Sequence, residues 1–141
     1  MACEAEDCVF CKVANREIPV EFIYENESVI AFDDINPVAK VHTLIVTKAH
    51  YDNILALGET TGAGVAHGVK PDSGATMCAN DSSCCGEWID ILQAVREVAR
   101  LKGVDSSGFR LVSNCGADGG QTVRHLHFHI IGGQTLGPRV I

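Results

Sequence analysis

Residues 121–133 read "QTVRHLHFHIIGG", with His125, His127 and His129 at every second position and Leu126, Phe128 and Ile130 between and after them. A period of two belongs to a β-strand, where residues two apart share a face. The three imidazoles would line one face over about 13 Å, at roughly 3.3 Å per residue. Leu126, Phe128 and Ile130 would take the other face and pack on a core. Imidazole, with an ordinary pKa of about 6.5, can act as acid, base or nucleophile near neutrality. Three of the six histidines of the chain fall in this one strand. That concentration points to a site.

The turn before the strand, "NCGADGGQTV", adds to this reading. Gly119 and Gly120 permit close approach of backbone to a ligand, and successive N–H groups can hold phosphate oxygens. The amides of Asn114 and Gln121 and the hydroxyl of Thr122 are further candidate donors.

Upstream, "VEFIYENESVIAFDDINP" reads as two short strands around the polar turn "ENES". Asp33 and Asp34 are adjacent at the end of the second strand, so their carboxylates should point to opposite faces. "VHTLIVTKAH" reads as a third strand with the apolar centre Leu44-Ile45-Val46. "EWIDILQAVREVARLKG" predicts a long helix, with Trp88, Ile91, Leu92, Val95, Val98, Ala99 and Leu101 marking its apolar face. Gly103 suits a left-handed cap after it. "GFRLVSN" is the fourth strand. The order of elements predicts an α+β fold, an antiparallel sheet with the long helix packed on one face. Residues 60–86, rich in Gly, Ser, Asp and Asn, read as a flexible insertion in an otherwise single domain spanning 1–141.

The 141 residues suffice for one self-supporting core. A net charge of −7 argues against a general nucleic-acid binder, and no apolar run approaches the ~18 residues of a membrane span. The N-terminus "MACEAEDCVFCK" lacks the order of a signal peptide. Seven cysteines cannot all pair within one chain, so free thiols in the cytoplasm, with nuclear access, are expected. Cys8 and Cys11 form a C-x-x-C pair, which alone fits a redox pair or half a zinc site. Spacing leaves His50, His67, Cys78, Cys84, Cys85 and the three clustered histidines open as further ligands. His42, at the head of the third strand, fits core, surface or site equally.

"HLHFHII" matches the histidine-triad pattern, and the chain resembles the Hint branch of that superfamily. The likeness extends through "CVFCKVANREIPVEFIYENESVIAFDDINPVAKVHTLIVTKAH" and "EVARLKGVDSSGFRLVSNCGADGGQTVRHLHFHIIGG". It implies a dimeric fold of the histidine-triad type, a homodimer that hydrolyses the P–N bond of purine nucleoside 5′-phosphoramidates through a nucleotidyl-histidine. His127 matches the nucleophile, with His129, His125 and His42 as the other active-site histidines. Asp34 matches the carboxylate that holds the ribose, with Ile35 and Phe10 beside the base. Asn114, Gly120, Thr122 and Val123 match positions around phosphate and leaving group. In zinc-containing members the C-x-x-C pair joins two histidines, here Cys8, Cys11, His50 and His125, so a structural zinc is implied and no catalytic metal is required. Thr122 stands where many Hint proteins have serine, and the tail "QTLGPRVI" lacks a tryptophan that some members carry. A Fhit-type dinucleoside polyphosphate hydrolase and a nucleotide-binding sensor or scaffold with little turnover are the alternatives.

Overall fold

The computed structural model describes residues 7–60 and 82–138. Its elements run α1 (Val9–Ala14), β1 (Tyr24–Glu25), β2 (Val29–Asp33), β3 (Val41–Thr47), α2 (Ile54–Thr60), α3 (Ser82–Leu101), β4 (Phe109–Val112) and β5 (His127–Gly132). The five strands form one sheet in the order β1-β2-β3-β5-β4, and every neighbouring pair is antiparallel. The α+β architecture expected from the sequence is present. Of the expected insertion, residues 61–81 lie outside the described residues, while Ser82–Gly86 belong to the start of α3. No helix among the described residues is long and apolar enough to cross a membrane.

Strand alternation sorts the side chains into two cores. Val29, Ala31, Ile45, Leu126, Phe128 and Ile130 pack against Ile91, Ala94, Val98 and Ala99 of α3. Fully burying one such side chain is worth about 1.5–3 kcal/mol. Leu92 and Leu101, expected on the same helix face, are instead exposed, because they sit at the margins of the stripe that meets the sheet. The helix ends as expected, with Gly103 at φ +70 and its N–H on the Arg100 carbonyl at 3.1 Å.

The opposite face is also covered. Phe10 and Val13 of α1 pack on Ile30, Phe32, Leu44 and Val46. α1 is a helix of six residues that the sequence pattern did not reveal. Its N-cap is Cys8, without a side-chain cap, and the chain leaves it through Arg16 at φ 62. The Glu17 N–H on the Lys12 carbonyl (2.8 Å) and the Arg16 N–H on that of Val13 (3.0 Å) close the end in a Schellman arrangement. α2 likewise went unrecognised in the sequence.

The histidine strand begins at His127, not His125. The His125 N–H turns to the Val123 carbonyl at 2.9 Å and the Leu126 N–H to that of Tyr51 at 2.6 Å, so these two residues stand outside the β5 ladder. The side chains still keep their expected sides, with Leu126 under α3 and the His125 ring 5.9 Å from that of Phe10.

Candidate active site and metal centre

On the α1 side of the sheet, β3 and β5 bring His127 opposite Val46 and His129 opposite Leu44. The rings of His127 and His129 lie 5.0 Å apart, and Phe10 stands edge-on to His127 at 5.0 Å. His125 and His127 are therefore packed against Phe10 of α1, while half-buried His129 lies between His127 and His42. Packing fixes their rotamers, and hydrogen bonds fix their tautomers.

His127 Nδ1 is 2.7 Å from the carbonyl oxygen of His125. A carbonyl only accepts, so the proton is on Nδ1 and the lone pair of the neutral ring is on Nε2. The Ser113 hydroxyl donates to the His127 carbonyl at 3.0 Å and ties the end of β4 to the start of β5. His42 Nδ1 accepts the N–H of Val38 at 3.1 Å, which places the His42 proton on Nε2. That proton is donated to His129 Nδ1 at 2.9 Å. Neutral His129 then carries its own proton on Nε2, a buried atom with no partner among the described residues. The result is a lone pair on one ring beside an unused N–H on the next.

Burial, followed by repulsion from His127 and His42, lowers the His129 pKa to about 4, while Asp34 acts the other way. His129 is therefore neutral at ordinary pH, as the tautomer chain requires. Asp34 Oδ2 lies 3.4 Å from His42 Nε2, and Asp34 Oδ1 accepts the Asn36 N–H at 2.8 Å. Its neighbour Asp33 faces the other way, accepting from the Thr43 hydroxyl at 2.8 Å and pairing with Lys102 at 2.6 Å. The opposed carboxylates match the strand argument. Asp34, His42 and His129 also hold ligand atoms within 4.8 Å of one another, here used for bonds among themselves.

The turn 113–124 departs from the sequence expectation. The Gly120 N–H is bonded to the Ala117 carbonyl at 3.0 Å and the Gln121 N–H to that of Gly116 at 3.1 Å. The Gln121 side chain accepts the Gly116 N–H at 2.9 Å and donates to the carbonyls of Asp52 (2.6 Å) and Val123 (3.0 Å). A Cβ on Gly119 would stand 2.5 Å from the Cys115 carbonyl oxygen, so that glycine serves the turn itself. In this structure these groups hold the loop itself in shape. Val123 packs on the α1-side core.

Cys8, Cys11, His50 and His125 come together, as the resemblance implied, with ligand atoms within 4.8 Å of one another. His125 Nδ1 lies 3.3 Å from Cys8 Sγ and 3.4 Å from Cys11 Sγ, and His50 Nδ1 is 3.3 Å from Cys11 Sγ. Tetrahedral zinc, with bonds of roughly 2.0–2.3 Å, sets its ligands about 3.5 Å apart. The donor set fits. The far nitrogens agree, since His125 Nε2 donates to the Thr47 carbonyl at 2.7 Å and His50 Nε2 to Asp52 Oδ1 at 3.2 Å. Both leave Nδ1 as the ligand atom. Burial lowers the His125 pKa to about 4, keeping it in the neutral form that a metal needs. Against the expectation of free thiols, Cys11 is disulfide-bonded, whereas Cys8 and Cys115 are free. A disulfide sulfur is no thiolate, so metal and disulfide are exclusive uses of Cys11.

Comparison with known proteins agrees with this geometry. Residues 15–136 match the HIT domain family, and the chain belongs to it. It is 35% identical over 127 residues to protein HitA of Neisseria gonorrhoeae, covering 90% of this chain and 96% of that protein. It is 32% identical over 134 residues to the purine nucleoside phosphoramidase of Escherichia coli, covering 95% and 93%. A HIT family hydrolase from Clostridium thermocellum has a similar structure, with TM-score 0.74, 39% identity and coverage of 96% and 98%. These similarities support a hydrolase of the HIT family.

Proposed function

We infer that the protein hydrolyses purine nucleoside 5′-phosphoramidates by way of a nucleotide covalently held on His127. The observation that carries this is the fixed tautomer of His127, whose Nδ1–H is tied to the His125 carbonyl at 2.7 Å. The Nε2 lone pair would attack phosphorus as the P–N bond breaks, and the leaving nitrogen takes up a proton to depart as an amine. Water then adds to phosphorus, returning to solvent a proton in place of the one the leaving nitrogen took from it, and the P–Nε2 bond breaks with its electron pair going back to Nε2. The Nδ1–H stays in place through both steps and its carbonyl partner supports the positive charge on the nucleotidyl ring. The unpartnered Nε2–H of His129 is suited to a phosphoryl oxygen, so that positioning and electrostatics carry the transfer.

Asp34 would accept the ribose hydroxyls. Ile35, 90% exposed, would cover the base, with Phe10 beside it. Asn114, Gly120, Thr122 and Val123 would flank phosphate and leaving group, the loop being held by Gln121. In the reduced protein a structural zinc would sit among Cys8, Cys11, His50 and His125, fastening α1 to the segment that enters β5. The cytoplasm, with nuclear access, is where those thiols would stay reduced. A homodimer is supported by β4, the last strand of the sheet among the described residues, which leaves Phe109 and Leu111 37% and 43% exposed.

The test is single-turnover reaction with an adenosine 5′-phosphoramidate, comparing the native protein with His127→Ala and following nucleotidyl-protein by mass spectrometry. AMP release with a transient adduct on His127, absent in the variant, is the expected outcome. Turnover of a dinucleoside polyphosphate alone would move the substrate to a P–O–P bond. Binding of AMP without turnover of either substrate would remove the enzymatic reading.

A further inference from the structure

The chain itself joins the metal set to the loop at His125, whose N–H is on the Val123 carbonyl at 2.9 Å, and one further residue, outside both, ties them a second time. Asp52 follows β3, close to His50. Its Oδ1 accepts from His50 Nε2 at 3.2 Å, and its Oδ2 accepts from Arg124 at 3.0 Å. Its backbone carbonyl accepts from Gln121 Nε2 at 2.6 Å, across a sequence separation of 69 residues. Gln121 in turn holds both ends of the turn, through the Gly116 N–H at 2.9 Å and the Val123 carbonyl at 3.0 Å. Side chain and main chain of Asp52 thus do different work. The carboxylate orients a metal ligand, and the carbonyl anchors the loop.

We propose that Asp52 and Gln121 are positioning residues that link zinc at Cys8, Cys11, His50 and His125 to the order of the 113–124 loop, so that a loaded metal set steadies the residues nearest the phosphate. The inference rests on the zinc reading given above. Without the metal, His50 is held through Asp52 Oδ1 and Cys11 Sγ, and the segment carrying Asp52 has less to hold it in place. The anchor that Gln121 uses then loosens, and the turn hydrogen bonds at Gly120 and Gln121 open more often. By reciprocity, a loop held shut favours the metal-competent placement of Asp52.

The two roles separate by mutation. Asp52→Ala removes the acceptor for His50 and keeps the carbonyl for Gln121, whereas Asp52→Asn keeps an oxygen for His50. Gln121→Glu keeps the acceptor for the Gly116 N–H and loses both donated bonds. The experiment measures zinc affinity of the reduced protein by chelator competition, the visible spectrum of the cobalt-substituted protein, and amide exchange at Gly120 and Gln121 with and without zinc. Asp52→Ala should bind zinc about 10–100-fold more weakly and shift the cobalt spectrum, while Asp52→Asn stays near native. In the native protein zinc should slow exchange at the two amides about tenfold, and in Gln121→Glu that response should vanish while zinc affinity persists. Native zinc affinity in Asp52→Ala, or an undiminished exchange response in Gln121→Glu, overturns the link while leaving the zinc site standing. A native protein that binds no zinc removes the metal reading and this inference together.

Discussion

His42 Nε2 and His129 Nδ1 stand 2.9 Å apart, although 87 residues separate them in the chain. The Val38 N–H on the far side of His42 makes this contact directional, so that His42 donates and His129 accepts. One backbone amide thereby decides that the unpartnered Nε2 of His129 carries an N–H and not a lone pair. His42→Ala should lower kcat/KM for a phosphoramidate by about 10–100-fold, below the range of a full acid–base group because His42 acts through His129. His42→Gln, which retains an N–H donor, should recover part of the loss, with AMP affinity little changed in both. Steady-state kinetics with parallel AMP titration checks this. Unchanged kcat/KM in His42→Ala would sink the relay.

Acid should weaken the fold through His129. Its folded pKa is lowered from 6.5 to about 4, chiefly by burial. Between those values the unfolded chain binds the extra proton and the folded one does not, so stability is intact above 6.5 and is lost as pH falls toward 4. The loss amounts to about 1–3 kcal/mol at most. Urea unfolding at pH 7 and pH 5 should show a larger drop for the native protein than for His129→Gln. Equal drops would show that His129 titrates normally.

Phe128 supports the histidines from behind. It is buried on the α3 face of β5, its ring centroid 6.2 Å from that of Trp88, between the two strand positions that carry His127 and His129. Phe128→Ala should cost about 3–5 kcal/mol, mostly as an unfilled cavity. Phe128→Leu should cost far less. Denaturant unfolding of both variants distinguishes this from a surface position, where both costs would be small.

The sheet and the long helix were legible because their faces repeat, at period two in residues 126–130 and at helical spacing from Ile91 to Val98. α1 was not, since it lacks a Ser, Thr, Asp or Asn cap at Cys8 and ends on Arg16 where glycine is usual. Its absence from the pattern also hid the cover over His125 and His127. Gln121 misled for a different reason. Its amide reads as a free donor until the loop is seen to close on Asp52, a contact with no local signature. The metal ligands show the same limit, because spacing left His50 one of several choices and the resemblance to a family selected it. Tautomers lay furthest from the sequence, as each depends on one carbonyl or amide placed by the fold.

Metal and oxidation should compete for Cys11. Its sulfur lies 3.4 Å from His125 Nδ1 and is disulfide-bonded in this structure, so zinc can load only after reduction. With reductant, zinc at about 1,000 times its Kd should add about 4 kcal/mol to folding stability, because the unfolded chain holds no assembled site. Cys8→Ala should abolish most of that gain while leaving the fold intact without metal, since Phe10 and Val13 still hold α1 on the sheet. Thermal unfolding with and without zinc, in reduced and in oxidised protein, reads the effect directly. A zinc-dependent rise in Tm confined to the reduced native protein is expected. An equal rise in Cys8→Ala would place the metal elsewhere.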